Sequence, residues 1–405
     1  MKILRKITLP GKWLIHSYYT LCPYAPDNSG RLLIAGADLK SRMGKIFIIG
    51  TNGEVLDEFG EHPVDSGFFH TGFWQTWSPD CRYVYFQNGS MAEPLITRRE
   101  LATGNELHIP GDAEGAPPDG EPIVSCLMGM LYAAGYGYGV YNPSISPVPF
   151  ENRDEHGVFE YTFEPQSRKL RLSVNDILQL HPDKDKLLEL DKELSVRNGT
   201  PAGLTLMAYC VRWNRQAERF VFYFGNHCVV KERGEPRIAN LFTCKRDFSD
   251  LRLTLDMSST RGVHWSWHPD GEHLIGYGMP PDNPDPSKGA CISVIHRDGS
   301  GYRKLCSQFG GGHPTVSPAN HRLALTDNGE EVILWDTVED KCIDLERFPN
   351  RNLNRKDAPI VGCERNEFRV CHHPVFDRDG GRFLFNVLDG EYASLYEAEV
   401  PEEYQ

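Results

Sequence analysis

The sequence lacks long apolar runs and export signals. No stretch of about 18 consecutive apolar residues occurs, so we expect no transmembrane helix. The opening segment, MKILRKITLPGKWLIHSYY, is basic but has no sustained apolar region or small-residue cleavage site, which argues against a secretory signal. The 11 cysteines include no CxxC pair. We therefore expect reduced thiols and a cytoplasmic protein.

Positive charge is also scarce, with 43 Lys and Arg against 56 Asp and Glu and a net charge of -13. An acidic surface disfavours nucleic acid or an anionic membrane as the main partner, although a local cationic site could still bind an acidic sugar. The chain contains no P-loop, no HExxH motif and no serine nucleophile elbow. Function must therefore be sought in another pattern.

A repeated unit provides that pattern. It consists of a short apolar strand, a Pro-Asp-type turn and a second strand rich in β-branched and aromatic residues, as in WQTWSPDCRYVYFQNGS and HWSWHPDGEHLIGYG. The turns of the successive copies fall near Pro26, Pro79, Gly129, Arg215, Pro269, Pro318 and Arg378. Most intervals are about 50 to 60 residues, the length of a four-stranded propeller blade with its loops.

Seven such units predict an all-β, seven-bladed β-propeller that occupies residues 1–405 as a single domain. An all-β sandwich would not explain seven evenly spaced repeats. The long interval between the third and fourth turns indicates an insertion. The stretch HPDKDKLLELDKELSV is helix-like, and we expect a short helix at about 175–200, in the insertion loop of the fourth blade.

Three histidines share one register in this repeat. His264, His313 and His373 each stand five positions before the turn of their blade, where the fourth blade has Cys210. In the first two blades the same position holds Leu21 and Trp74. The strand before the turn should be the innermost one, so four consecutive blades point His or Cys toward the channel.

Three imidazoles and a thiolate suit a tetrahedral Zn²⁺ site, and the thiolate disfavours Mn²⁺. With four protein ligands the site would be closed and the zinc structural. Cys371 lies two residues before His373 and is the alternative sulfur ligand. The competing interpretation is that these histidines satisfy polar channel walls or bind water.

Several segments resemble the channel motifs of seven-bladed propeller polysaccharide lyases, which include oligogalacturonate, ulvan and rhamnose–glucuronate lyases. They are VHWSWHPDG, GHPTVSPANHRLALTD, CHHPVFDRDGGRFLF, FHTGFWQTWSPDCRYVYFQNGS, AGYGYGVYN and FENRDEHGVFEYTF. The resemblance implies β-elimination at a uronic acid in an acidic oligosaccharide. Such a reaction needs a charge sink for the carboxylate, a base for the C5 proton and an acid for the leaving group.

On the matching positions, the resemblance implies catalytic roles for His70, Tyr138 and Arg153, the last as a bidentate carboxylate clamp. Tyr136 and Tyr138, in GYGYG, form either a sugar-binding platform or a blade connection. His16 in WLIHSYY and Trp74 are candidate substrate contacts, and a core-edge position is the other interpretation of His16.

The chain departs from the lyase pattern at three places. QNGSMAEP lacks a second histidine after His70, LTLMAYCVRW has Leu206 and Cys210 where two histidines are common, and FYFGNHC lacks the expected arginine. Two alternatives therefore stay open. One is a non-catalytic propeller that binds a sugar or protein and has a structural zinc. The other is a glycoside hydrolase, for which Asp154 and Glu155 are the nearest acidic pair although sequence neighbours on a strand point apart.

Overall fold

The computed structural model describes residues 1–38, 40–64, 69–89, 94–126, 152–226, 234–260, 262–348, 370–390 and 392–405. Within these ranges the chain forms seven separate antiparallel sheets that follow one another along the sequence. The sheets are the blades of a β-propeller, so the predicted fold class is confirmed. Apart from the strand at the start of the chain, which pairs at the outer edge of the last blade, the first strand of each blade in sequence is the innermost.

Strand β1 (Lys2–Ile7) belongs to the seventh blade and is described with it. The first blade contains β2 (Trp13–Ile15), β3 (Leu32–Asp38), β4 (Met43–Ile49) and β5 (Val55–Pro63). The second contains β6 (Thr76–Trp77), β7 (Tyr83–Gly89), β8 (Pro94–Glu100) and β9 (Glu106–Pro110). The described part of the third contains β10 (Ile123–Cys126), β11 (Gly157–Phe163) and β12 (Gln166–Ser173).

The fourth blade contains β13 (Met207–Trp213), β14 (Arg219–Gly225), β15 (Ala239–Lys245) and β16 (Arg252–Asp256). The fifth contains β17 (Val263–Trp267), β18 (His273–Gly278), β19 (Cys291–His296) and β20 (Arg303–Phe309). The sixth contains β21 (Thr315–Val316), β22 (Leu323–Asp327), β23 (Glu331–Asp336) and β24 (Lys341–Arg347). The seventh contains β25 (Val375–Phe376), β26 (Arg382–Asp389), β27 (Tyr392–Glu399) and β1.

The Pro-Asp-type turns join the first two strands of a blade by local hydrogen bonds. In the fifth blade Asp270 Oδ1 accepts from the backbone N–H groups of Glu272 and His273, both at 2.9 Å. Gly271, between Asp270 and Glu272, has a φ of 73°, a left-handed conformation that glycine adopts without strain. Each such turn fixes where an inner strand ends.

Helices occupy the connection between the third and fourth blades, as the insertion predicted. There are two, α1 (Val174–Gln179) and α2 (Lys184–Asn198), where the sequence indicated one. Ser173 and Asp176 form a capping box at the start of α1, and Gly199 ends α2 in a left-handed conformation. A further short helix, α3 (Met257–Thr260), follows β16. Among the described helices, none has the length and apolar character that crossing a membrane requires.

Candidate functional site

A shared distortion marks the start of several inner strands. Trp74, Cys210, His264 and His373 have φ values of 54°, 59°, 55° and 45°, which is a left-handed backbone that side chains other than glycine rarely adopt. The pairing of β13 with β14 shifts at Cys210, and that of β17 with β18 shifts at His264. These four residues belong to the set that the repeat placed in one register, together with Leu21 and His313. The bulges re-aim their side chains, as bulges near functional sites commonly do.

The three histidines of this register meet in space. The ring centroids of His264 and His313 are 4.2 Å apart, and those of His313 and His373 are 4.3 Å apart. We call these three residues the histidine cluster. His313 and His373 are buried, with 7% and 0% of their surface exposed, whereas His264 is half-buried. The cluster therefore presents His264 outward and His373 inward.

Each imidazole of the cluster has its Nδ1 beside an oxygen acceptor. His264 Nδ1 is 2.9 and 2.8 Å from the carbonyl oxygens of Gly311 and Gly312. His313 Nδ1 is 2.9 Å from Asp327 Oδ1, and His373 Nδ1 is 3.3 Å from the Ser17 carbonyl. Because these oxygens only accept, Nδ1 donates in each ring. In the neutral form of each ring, the basic lone pair is then on Nε2.

Asp327 organises the centre of the cluster. It is 1% exposed and also accepts from the backbone N–H of His313 at 2.8 Å. Burial alone would raise the pKa of Asp327, but the charge and hydrogen bond of His313 outweigh this effect and hold it below its usual range. Burial and the charges of His313 and Arg212 lower the pKa of His264 to about 3. At neutral pH, His264 is uncharged beside an ionised Asp327.

Three further candidates from the sequence lie around this cluster. His70 is buried on a single 3-10 turn, Phe69–Thr71, with its ring centroid 5.8 Å from that of His373. Trp74 packs on Tyr18 at 5.1 Å between centroids. His16 is fully buried, and its Nε2 lies 2.7 Å from the His373 carbonyl oxygen. In this structure His16 therefore supports His373 and does not face the channel opening.

Two tyrosines that sequence reasoning missed fill the middle of the site. In the first blade, Trp13–Ile15 pair with residues 35–37, and pairing with β3 resumes at a Tyr24–Leu32 bridge. The residues between leave the sheet, and they bring Tyr18 to 4.7 Å from His373 and Tyr19 to 5.1 Å from His313, measured between ring centroids. The repeat had placed Leu21 at this position.

Arg212 is the other missed residue. It is 5% exposed, and its Nη1 donates to the hydroxyls of Tyr19 at 3.0 Å and Tyr223 at 3.3 Å and to the Trp265 carbonyl. Its Nη2 donates to the Tyr18 hydroxyl at 3.4 Å. The arginine sought after β14 is thus absent there, but a buried guanidinium lies under the cluster from β13. The signal was its place in AYCVRW, two residues after Cys210.

The predicted zinc site is not found. Within the ranges that the structure describes, no group of three or more His, Cys, Asp or Glu side chains is arranged to hold a metal ion. The rings of Tyr18 and Tyr19 lie against the histidines. The side chain of Cys210 instead hydrogen-bonds to Glu114 and lies close to Arg212. Zinc therefore has no support from this arrangement. The alternative sulfur, Cys371, is half-buried and forms no disulfide with another described cysteine.

The remaining catalytic candidates lie elsewhere. Arg153 donates to both carboxylate oxygens of Asp191 on α2, at 2.6 and 3.2 Å, and to the Leu204 carbonyl at 2.9 Å. The two terminal nitrogens of its guanidinium are therefore already bound to Asp191. Asp154 accepts from Asn175 on α1 at 2.9 Å, also apart from the cluster. Tyr136 and Tyr138 lie outside the described residues.

Comparison with known proteins supports the fold. No protein-family model and no curated protein sequence matches the chain. A solved oligogalacturonate lyase in complex with manganese is similar, with a TM-score of 0.62, 15% identity and coverage of 98% of this chain and 93% of that one. An oligogalacturonate lyase from Vibrio parahaemolyticus has a TM-score of 0.60 and 14% identity over 99% and 94% of the two chains.

A third similar structure is an enzyme of a different kind. Hydrazine synthase of Kuenenia stuttgartiensis aligns with a TM-score of 0.53 and 11% identity over 98% of both chains. Lyases and a hydrazine synthase thus share this architecture. At these identities the likeness establishes the propeller fold, and the activity has to be argued from the site.

Proposed function

We propose that the protein is a lyase that cleaves a uronic-acid-containing oligosaccharide by β-elimination at the histidine cluster. The observation that supports this most directly is the hydrogen bond between His313 Nδ1 and Asp327 Oδ1, which places the basic lone pair of the neutral His313 ring on Nε2. The likeness to two oligogalacturonate lyases agrees with it.

In this proposal His313 is the general base. Its Nε2 takes the C5 proton of the uronate, the C5 electron pair forms the double bond to C4, and the glycosidic oxygen leaves C4 with its bonding electrons and takes up a proton. The imidazolium that forms on His313 is stabilised by the ionised carboxylate of Asp327, 2.9 Å from Nδ1. The buried Asp327 thus has the role of the carboxylate in a histidine–carboxylate pair.

Charge on the substrate carboxylate must also be stabilised as the proton leaves. The nearest described cation is the guanidinium of Arg212, which lies beneath Tyr18 and Tyr19. An N–H of His70, beside His373, is the candidate direct donor. Arg153 is less suited to this role than the sequence suggested, because Asp191 already occupies it. Tyr138 remains the predicted proton donor to the leaving group.

A non-catalytic sugar-binding propeller is the second candidate. The observation that favours it is the filled centre of the site, where Tyr18 and Tyr19 are 6% and 1% exposed and the predicted ligand set does not converge. No described contact favours the hydrolase alternative. The nine described cysteines form no disulfide with one another, which agrees with a reducing compartment such as the cytoplasm for either function.

The test is an elimination assay. Purified protein is mixed with oligogalacturonates and other uronate oligosaccharides, and the unsaturated product is followed by its ultraviolet absorbance. We expect product with the wild type and a loss of about 100-fold or more in His313→Ala, because general bases contribute about that much. His321→Ala is the matched control, since His321 is exposed on a turn of the same blade.

Each other outcome contradicts a stated part of the proposal. Reducing ends without the chromophore would mean hydrolysis, and binding with neither product would mean a binding module. Activity that a chelator abolishes would show that a metal is required, against the metal-free chemistry described above. Equal activity in His313→Ala and His321→Ala would remove the base from the histidine cluster.

A further inference from the structure

A second concavity lies at the other end of the channel. The histidine cluster stands where the inner strands begin, whereas this cavity, of about 240 Å³, is lined by residues where they end, such as Trp213, Trp267 and Phe376. Tyr19 and Arg212 line it as well. Tyr19 also contacts His313 and the His264 backbone, and Arg212 donates to the Tyr19 hydroxyl, so the two residues form a partition between the two sites.

Two arginines at this cavity have no carboxylate partner within the described part of the chain. Arg378 Nε donates to the Tyr24 carbonyl at 3.0 Å, and Arg215 Nη2 donates to the Arg378 carbonyl at 3.2 Å. Their neighbour Asp377 is paired with Arg382 at 3.0 Å and is not available to them. Arg215 thus reaches the backbone of Arg378, and both side chains line the cavity with donors left over, in a chain with a net charge of -13.

The walls of the cavity are aromatic and fixed. The indole N–H of Trp267 donates to the Arg212 carbonyl at 3.0 Å, and that of Trp77 donates to the Pro23 carbonyl at 2.9 Å. Both rings line the cavity and are less than one-tenth exposed. Rigid aromatic walls with a few polar groups are typical of sites for ring-shaped small molecules.

The inner end of the cavity does not repel an anion. Glu114 lines it and is 7% exposed, with the Cys210 side chain as a hydrogen-bond partner. Burial raises the pKa of Glu114 to about 8, so the group is mostly uncharged at neutral pH. The guanidinium of Arg212 lies beside it. Asp377 also lines the cavity but is paired with Arg382, so Arg212, Arg215 and Arg378 leave the local charge positive.

We propose that this cavity is a second binding site, for a one-ring sugar acid. The carboxylate lies between Arg215 and Arg378, whose planar forks suit carboxylate oxygens, and the ring packs against Trp267. A volume of about 240 Å³ is below the range of roughly 300 Å³ and more that drug-sized ligands occupy, which limits the occupant to a single ring. The observations are separate from those on the histidine cluster, so this inference does not depend on the lyase activity.

The test is calorimetric titration of the whole protein with D-galacturonate, D-galactose, acetate and inorganic phosphate. We expect saturable binding of galacturonate, and binding weaker by about tenfold or more for galactose, which lacks the charge, and for acetate, which lacks the ring. Arg378→Gln and Arg215→Gln should each weaken galacturonate binding by about tenfold, since each loses charge-assisted hydrogen bonds. Arg303→Gln, at an exposed arginine outside the cavity, is the matched control.

His313→Ala separates this site from the histidine cluster. Galacturonate binding that persists in His313→Ala and is weakened in Arg378→Gln supports the second site, whether or not the lyase assay succeeds. Binding lost in His313→Ala and kept in both arginine variants would overturn it, as would no binding to the wild type. Equal affinity for galactose would refute the carboxylate, and equal affinity for phosphate or acetate would refute the ring. Thermal melting of each variant verifies that it is folded.

Discussion

At the scale of single residues, the acceptors around each imidazole decide its chemistry. His16 shows this most simply, because it is 0% exposed and its ring lies 2.7 Å from one backbone oxygen, that of His373. A charged imidazole there would lose its hydration without gaining a counter-ion. Burial accordingly lowers the pKa of His16 to about 4. The residue is neutral in the folded protein throughout the neutral range.

This burial makes stability depend on pH. The folded pKa of His16 is below its unfolded value of about 6.5, so the unfolded chain takes up the proton first as the pH falls. The stabilisation is complete above the unfolded value and is lost progressively between about pH 6.5 and 4. In guanidinium unfolding at pH 7 and pH 5, we expect the wild type to lose about 2 kcal/mol more than His16→Gln, which cannot be protonated.

The control for this prediction is His321→Gln, since that histidine is exposed and should leave the wild-type slope unchanged. If His16→Gln loses as much stability as the wild type between the two pH values, His16 is charged or hydrated in the fold. In that case His16 would not be buried as a neutral ring against the His373 carbonyl.

At the scale of strands, the repeat predicted the inner strands well and their interruptions poorly. Its register identified Trp74, Cys210, His264 and His373, which share one backbone distortion. Periodicity specifies which face of a strand a residue lies on, so this much was available from sequence. The position of Tyr19 was not, because its contacts with Arg212 and His264 join segments 193 and 245 residues away.

Tyr19 acts on the cluster through its backbone. Its hydroxyl donates to the carbonyl of His264 at 2.7 Å and accepts from Arg212 at 3.0 Å, which ties the left-handed residue of β17 to its neighbours. Tyr19→Phe should lower the free energy of unfolding by about 1 to 3 kcal/mol, because it leaves buried polar groups without a partner. It should also lower kcat for elimination more than it changes KM, because the loosened His264 packs against the proposed base His313, at 4.2 Å between ring centroids.

Tyr277→Phe is the matched control for this prediction. Tyr277 is as buried as Tyr19 and lies on β18, in the same blade as His264. Its hydroxyl is 3.1 Å from Thr326 Oγ1 and is not bonded to the His264 backbone. The measurements are guanidinium unfolding and steady-state rates for both variants. Similar losses of stability with equal kcat values would mean that Tyr19 is only structural.

At the scale of the whole molecule, the ring is closed by strands from opposite ends of the sequence. β1 pairs with β27 in the seventh blade, with Lys2 opposite Glu399. The number of blades could be predicted from the repeat, since each copy has its own turn. The closure could not, because β1 has no turn motif of its own and its partner is 397 positions away. Such a pairing is specified only once the other blades have formed.

Glu397 links the parts that meet at this closure. Its carboxylate accepts from Arg5 Nε of β1 at 2.6 Å, from the Tyr24 hydroxyl of the first blade at 2.8 Å and from Arg382 Nη1 of β26 at 3.4 Å. It is 3% exposed. We expect Glu397→Gln to lower the free energy of unfolding by roughly 3 kcal/mol, because the buried carboxylate loses the charge that pairs with the partly buried Arg5 and Arg382.

Glu399 is two residues away on the same strand and forms an exposed ion pair with β1. It therefore tests whether the buried pair of Glu397 stabilises the closure more than an exposed pair does. It pairs with Lys2, whose side chain is 72% exposed, and an exposed pair contributes at most about 1 kcal/mol. Glu399→Gln should therefore have less than a third of the effect of Glu397→Gln in guanidinium unfolding. A loss of 1 kcal/mol or less in both variants would mean that backbone pairing of β1 with β27 closes the ring unaided. Equal large losses would instead show that every ion pair along this strand contributes to closure.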